Sequence, residues 1–227
     1  MELKEKIILV TGSSQGIGKE TAIAFAEKGA NLIITYNKNK KLGEEVLKEC
    51  KKYNKCSLIG LNVKDEKSIE DAFKEIKKEF GKLDVLVNNA GVIRWKDFSK
   101  QDEKDIDDQI ETNLTGLIKT TKVFLPLLSK QKEAVIINIS SGAGKQGYGD
   151  LTTYCATKFG VRGFTQALAQ ELPNNLRIYS VNPGMTSTKM TNFQVINPRK
   201  VADLIVKTVE GKLNISSGGD VDVWEFV

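Results

Sequence analysis

No histidine occurs anywhere in this chain of 227 residues. That absence removes the Ser-His-Asp and Cys-His nucleophilic mechanisms and every histidine-based zinc site. Cysteine is scarce: Cys50, Cys56 and Cys155 are odd in number and have no metal-ligand spacing. A disulfide framework is therefore excluded as an organising principle, and a reducing, cytoplasmic setting is expected. No metal site is expected either. No apolar run approaches the roughly 18 residues of a membrane span, and the start of the chain, Met1 to Lys6, reads as the approach to a strand rather than a signal peptide. A soluble protein without a membrane partner is expected. Charge of one sign is also lacking: 34 basic against 29 acidic residues leave +5, with the signs mixed along the chain. That balance, without a recognisable nucleic-acid module, does not call for nucleic acid as a partner. The basic runs at 37–41 and 48–55 fit solvated faces or helix ends.

What is present is a regular alternation. Ile7–Val10 is a continuous apolar run ended by Thr11-Gly12, as in a parallel strand buried on both faces. Gly12-Ser13-Ser14-Gln15-Gly16-Ile17-Gly18 follows, then a helical pattern through Ala22, Ile23, Phe25 and Ala26 that Gly29 stops. With a second strand over 30–36 this makes a βαβ unit. A glycine-rich turn between strand and helix lets a helix N-terminus and its free N–H groups approach a diphosphate. The spacing is Gly-x-x-x-Gly-x-Gly, and the Gly-Lys-Ser/Thr ending of a P-loop is missing.

The pattern continues with helices expected over 40–52, 66–80, 102–128, 152–172 and 198–210. Strands are expected over 57–63, 84–88, 134–139 and 177–181, with a weak one near 221–223. This order predicts an α/β fold: a single Rossmann-like doubly wound parallel sheet with helices on both faces, one domain over 1–227. In such sheets ligands bind at the carboxyl ends of the strands. Gly12 to Gly18, Asn88 to Gly91, Ser141 and Pro183-Gly184 all follow strands and so fall on one rim.

Tyr154 and Lys158 are four residues apart and share one face of the expected helix. A tyrosine hydroxyl titrates near pH 10, too high for easy proton transfer, and a nearby ammonium favours the phenolate. A hydroxyl from Ser140 or Ser141 at a strand end could help hold a reacting oxygen. Any amphipathic helix can carry such a Tyr/Lys pair, so the weight lies in the company it keeps.

With Thr11-Gly12-x-x-x-Gly16-Ile17-Gly18, Asn88-Asn89-Ala90-Gly91, Asn113, Ser141, Tyr154-x-x-x-Lys158 and Pro183-Gly184 in order, the chain resembles the short-chain dehydrogenase/reductase family over essentially its full length. The resemblance implies a catalytic set. Tyr154 is the general acid in carbonyl reduction, and Lys158 lowers its pKa and holds the nicotinamide ribose. Ser141, 13 residues before Tyr154, polarises the substrate oxygen, and Asn113 holds a proton-relaying water. Ser140 is then structural. It also implies a cofactor-binding set: Gly12, Ser14, Gln15, Gly16, Ile17 and Gly18 at the phosphates, Tyr36 and Asn37 after the second strand, and Asn62 and Val63 at the adenine. Asn89, Ala90, Gly91, Tyr154, Lys158, Pro183, Gly184, Thr186 and Thr188 complete it.

An acid after the second strand would accept from a ribose 2′-OH and repel a 2′-phosphate. Tyr36-Asn37-Lys38 stands there instead, with Lys40 and Lys41 beyond, so NADP is expected over NAD. The chain departs from the family in several places. Asn62 replaces an aspartate and Thr186 an aliphatic residue; 190–197 is short for a substrate lid; and the C-terminus lacks the ending of 3-oxoacyl-carrier-protein reductases. The expected activity is an NADP-dependent oxidoreductase for a ketone or aldehyde and its alcohol. Alternatives are a 3-oxoacyl-carrier-protein reductase, a sugar or polyol dehydrogenase, and, from another class, a non-catalytic dinucleotide-binding sensor. The resemblance also implies a homodimer or homotetramer through the Asn113 and Tyr154 helices, with Phe159, Gly163 and Phe164 as candidate face residues.

Overall fold

A computed structural model describes residues 1–186 and 196–226. Thr188 and most of the short 190–197 segment lie outside the described residues.

The chain alternates strand and helix. In order these are β1 (Ile7–Val10), α1 (Gly16–Glu27), β2 (Asn31–Tyr36), α2 (Lys40–Cys50), β3 (Cys56–Gly60), α3 (Glu66–Phe80) and β4 (Val85–Asn88). Then come α4 (Glu103–Ile110), α5 (Gly116–Leu128), β5 (Ala134–Ile139), α6 (Thr152–Ala169), β6 (Leu176–Asn182), α7 (Pro198–Glu210) and β7 (Asp220–Asp222). The strands form one sheet in the order β3-β2-β1-β4-β5-β6-β7, and every pairing is parallel.

Strand alternation divides the core into two layers. Ile8 and Val10 of β1 face the layer filled by Phe25 of α1, Val46 of α2 and Val201 and Ile205 of α7. Ile7 and Leu9 face the opposite layer, with Ile69, Ala72 and Ile76 of α3 and Phe124, Leu127 and Leu128 of α5. Burial on both faces explains why β1 reads as an unbroken apolar run and why β4 and β5 are apolar apart from Asn88 and Asn138. Asn39, Asp65, Asp102 and Asn197 each accept a first-turn N–H with their side chains and so set the starts of α2, α3, α4 and α7.

Two expectations are corrected. The third strand spans Cys56–Gly60, not 57–63: Leu61 still donates to the Tyr36 carbonyl, but the Asn62 N–H turns away to the Ser68 hydroxyl. The single helix over 102–128 is interrupted at Glu111–Thr115 by a wider π-type turn, where the Gly116 N–H reaches back five residues to the Glu111 carbonyl. Asn113 sits in that turn. Cys50, Cys56 and Cys155 are free and buried. Among the described residues no helix is long and apolar enough to cross a membrane.

Candidate active site

The carboxyl ends of β1, β4, β5 and β6 open into one cavity of about 1440 Å³, lined from Ser14, Gln15 and Lys38 at one end to Ser141, Tyr154 and Lys158 at the other.

At the first end the glycine turn is built by close approach. Gly12 has φ +64, and a Cβ on Gly18 would lie 2.6 Å from the Gly12 carbonyl oxygen and 2.4 Å from Asn89 Nδ2, so only glycine lets α1 start here. The turn is tied on both sides. Gly12 N donates to Thr35 Oγ1 at 2.9 Å, and Thr35 N to Ser13 Oγ at 2.8 Å. Thr11 Oγ1 accepts from the N–H groups of Asn89 and Ala90, while Asn89 Nδ2 returns to the Thr11 and Gly12 carbonyls. Asn89 thus spends its amide on joining the two loops. Thr11, Ser13 and Thr35 do comparable work, and short polar side chains at strand ends gave no sequence signal for it.

Gly12, Ser14, Gln15, Gly16 and Ile17 line the cavity, as do Asn37, Asn62, Val63, Asn89, Ala90, Gly91, Pro183, Gly184 and Thr186. Gly18 and Tyr36 do not. Gly18 supports the turn from behind, and the Tyr36 ring covers Gly60, whose added Cβ would lie 3.5 Å from the phenol oxygen. No carboxylate follows β2: Asn37, Lys38 and Asn39 face the cavity there. Two acids do line the cavity, Glu20 of α1 and Asp108 of α4, and the sequence pattern gave no hint of them.

At the other end α6 lays Tyr154 and Lys158 against the ends of β5 and β6. Lys158 Nζ donates to the Ile139 carbonyl at 2.9 Å and stands 5.5 Å from the Tyr154 ring centroid. Burial pulls the Lys158 ammonium down to about 8 and pushes the Tyr154 hydroxyl up to about 12, which a hydrogen bond with Ser141 partly opposes. In the folded chain burial thus outweighs the lowering influences on Tyr154. The ammonium lies over the ring with Ile139 as its partner, and desolvation dominates both groups.

The two serines both border the cavity but bond differently. Ser140 is buried and donates to the Lys158 carbonyl at 2.9 Å, filling the space where a Cβ on Gly144 would come within 2.6 Å of its oxygen. Ser141 faces the cavity and accepts from Ala143 N at 3.1 Å. Arg162 holds the following turn: its Nη1 donates to the Gly144 carbonyl at 2.7 Å while the guanidinium forks onto Asp220 of β7.

Asn113 is buried rather than solvent-facing, and its amide is fully engaged. It accepts from Val92 N at 2.7 Å and donates to the Val92 carbonyl and to Thr157 Oγ1. The side chain does not line the cavity. A Cβ on Gly91 would lie 3.3 Å from Asn113 Oδ1 and 3.9 Å from Lys158 Nζ, so the three meet behind the site.

The model of the short chain dehydrogenase family matches residues 6–198. The chain is 37% identical over 193 residues to a 3-oxoacyl-[acyl-carrier-protein] reductase FabG of Thermotoga maritima, covering 84% of this chain and 78% of that one. It is 38% identical over 189 residues to the FabG of Staphylococcus aureus, covering 82% and 77%. It is 36% identical over 212 residues to that of Haemophilus influenzae, covering 93% and 86%.

Proposed function

The chain belongs to the short-chain dehydrogenase family, and from that premise we propose that it is an NADP-dependent oxidoreductase interconverting a ketone or aldehyde with the corresponding alcohol. The observation carrying this reading is the convergence of Ser141, Tyr154 and Lys158 at one end of a cavity whose other end is a helix N-terminus and a glycine turn.

A dinucleotide fits the residues present. The turn excludes side chains where phosphates would come close, the N-terminus of α1 carries unpaired N–H groups, and Asn37 and Lys38 stand where an acid would disfavour a 2′-phosphate. The nicotinamide, when bound, supplies or takes the hydride at the substrate carbon. The protein's own residues manage the oxygen. Ser141 donates a hydrogen bond to the carbonyl, and Tyr154 gives its hydroxyl proton to the developing alkoxide. Lys158, charged below about pH 8, steadies the phenolate that remains. Oxidation runs the same transfers backwards. With its amide bonded to both polar groups of Val92, Asn113 serves by holding the 89–92 loop.

A carrier-protein thioester as substrate is the second reading, favoured by the names of the FabG relatives. A non-catalytic sensor is disfavoured, because it would need none of Ser141, Tyr154 and Lys158. We place the enzyme in the cytoplasm, consistent with three free cysteines. A homo-oligomer through α4 and α6 is supported by Ile110 and Phe159, both large, apolar and exposed. Gly163 is exposed and Phe164 half-buried beside them. The experiment that tests the cofactor reading is a thermal-shift titration with NADP and NAD, since a ligand bound only by the folded state raises the melting temperature by mass action. A larger shift with NADP supports it, and no shift with either overturns it.

A further inference from the structure

The mouth of the cavity beside Tyr154 is aromatic, and its charge is already spent. Trp95 is 54% exposed, Tyr148 48% and Met185 44%, yet all three line the cavity. Large apolar side chains left this open to water at a concave site are what an apolar ligand would cover.

Trp95 and Tyr148 belong to two loops that are bonded together. Lys96 N donates to the Asp150 carbonyl at 2.9 Å, one residue after Trp95 and two after Tyr148. Gln101 reinforces the junction, donating to the Lys96 carbonyl at 2.9 Å and accepting from Thr153 Oγ1 at 2.7 Å, one residue before Tyr154. The two aromatic side chains are thus carried by a shared frame fixed to the start of α6.

The cations near this mouth have partners. Arg94 pairs with Asp108 and Asp105 and donates to the Ile93 carbonyl; Lys96 pairs with Asp105 at 2.7 Å; Lys64 pairs with Asp108 and Glu111. Asp108 itself lines the cavity. A carboxylate or phosphate on the substrate would meet cations already neutralised by carboxylates, and Asp108 on the cavity wall would repel it. An uncharged group would not be repelled.

We infer that the substrate is an uncharged ketone or aldehyde, or its alcohol, carrying an aromatic ring that packs against Trp95 and Tyr148, and not a carboxylate or a carrier-linked acyl thioester. This rests on the oxidoreductase reading and specifies its substrate class. The carbonyl is held by Ser141 and Tyr154, and the ring occupies the aromatic mouth.

The test compares propiophenone, benzoylformate and acetoacetyl-coenzyme A as substrates with NADPH. Propiophenone is expected to show a kcat/KM about tenfold or more above the other two. Trp95→Ala and Tyr148→Ala are each expected to raise its KM by about tenfold, with the NADPH thermal shift unchanged. Preference for benzoylformate or the thioester, or an unmoved KM in both variants, would overturn the inference. Binding is read separately. The chain has two tryptophans, Trp95 and Trp224, so in Trp224→Phe the emission of Trp95 alone reports the mouth. Saturable quenching by propiophenone is expected, with its midpoint raised about tenfold in Tyr148→Ala; no quenching overturns the inference even if turnover is slow. Failure of the oxidoreductase reading looks different: no carbonyl is reduced and NADPH gives no shift, whatever happens to Trp95.

Discussion

Asn113 clasps Val92 by both of its backbone polar groups, accepting from the N–H at 2.7 Å and donating to the carbonyl at 2.8 Å. A peptide-like side chain here imitates a strand neighbour for a segment that has left the sheet. Such a bond pair leaves the loop after β4 little freedom, and that loop carries Gly91, which packs near Lys158. The π-type turn at Glu111–Thr115 is the local distortion in which Asn113 is presented.

Tyr154→Phe removes one hydroxyl and no packing. Turnover of a carbonyl substrate is expected to fall by about 10²- to 10⁴-fold, the usual contribution of a positioned acid. The thermal shift with NADPH should persist. Steady-state kinetics beside that titration separate the two, and a variant with wild-type turnover would remove Tyr154 from the mechanism.

Lys158 makes a prediction about stability. Its folded value of about 8 lies below the ordinary lysine value of 10.5, so between these the folded chain binds fewer protons than the unfolded chain. Stability therefore rises with pH across that window, by about 3 kcal/mol at most, and the cost of the buried charge is fully present below pH 8. Lys158→Met lacks this slope. It loses activity and the bond to Ile139, worth about 1 kcal/mol, yet is expected to be the more stable protein at pH 7. The gap should close as the pH approaches 10. Denaturant titrations at pH 7 and 10 check this, and parallel pH curves for the two proteins would contradict it.

Above about pH 8 the wild type also loses the Lys158 charge that steadies the phenolate. In the reductive direction kcat/KM is expected to fall on that limb. A pH–rate profile flat from pH 7 to 9 would show that the ammonium plays no such part.

Cofactor choice is expected to turn on Asn37 and Lys38. Lys38→Ala should weaken NADPH on the order of tenfold, the scale of one charge-assisted hydrogen bond, and leave NADH unchanged. Asn37→Asp should move the preference towards NADH. Isothermal titration of both nucleotides reads each outcome.

Arg162 joins the Gly142–Gly144 turn to β7 and is mostly buried. Arg162→Met leaves Asp220 without that partner and should cost about 1–3 kcal/mol of stability. Ser141 begins the same turn, so kcat should fall more than cofactor affinity. Adding Asp220→Asn should restore part of the stability, because the uncompensated charge is removed.

Much of this was legible in the residues. Unbroken apolar strands such as Ile7–Val10 admit one reading, a doubly covered parallel sheet, and the glycine turn, Ser141, Tyr154 and Lys158 follow strand ends at fixed spacings. Other features were not, for physical reasons. Apolar periodicity runs through 102–128 without marking the π-type turn, since a shift of one residue keeps a broad apolar stripe in place. The end of β3 depends on Ser68, six residues away from Asn62. The balance of burial against charge at Tyr154 and Lys158 depends on what surrounds them. Trp95 and Tyr148 lie in loops, where no periodicity marks which side chains face a cavity.

The sheet order also has a kinetic consequence. β1 pairs with β4, and site residues run from Gly12 on the first strand's end to Thr186 beyond the sixth. Neither half of the polypeptide holds the whole site, because each half lacks one wall of the cleft. During synthesis the cleft is complete only once the sixth strand has emerged and docked. Loop-closure entropy between such distant segments makes that docking a slow, late step. A cofactor bound only after it would act as a latch on the finished chain, pulling the last equilibrium forward without guiding the earlier ones.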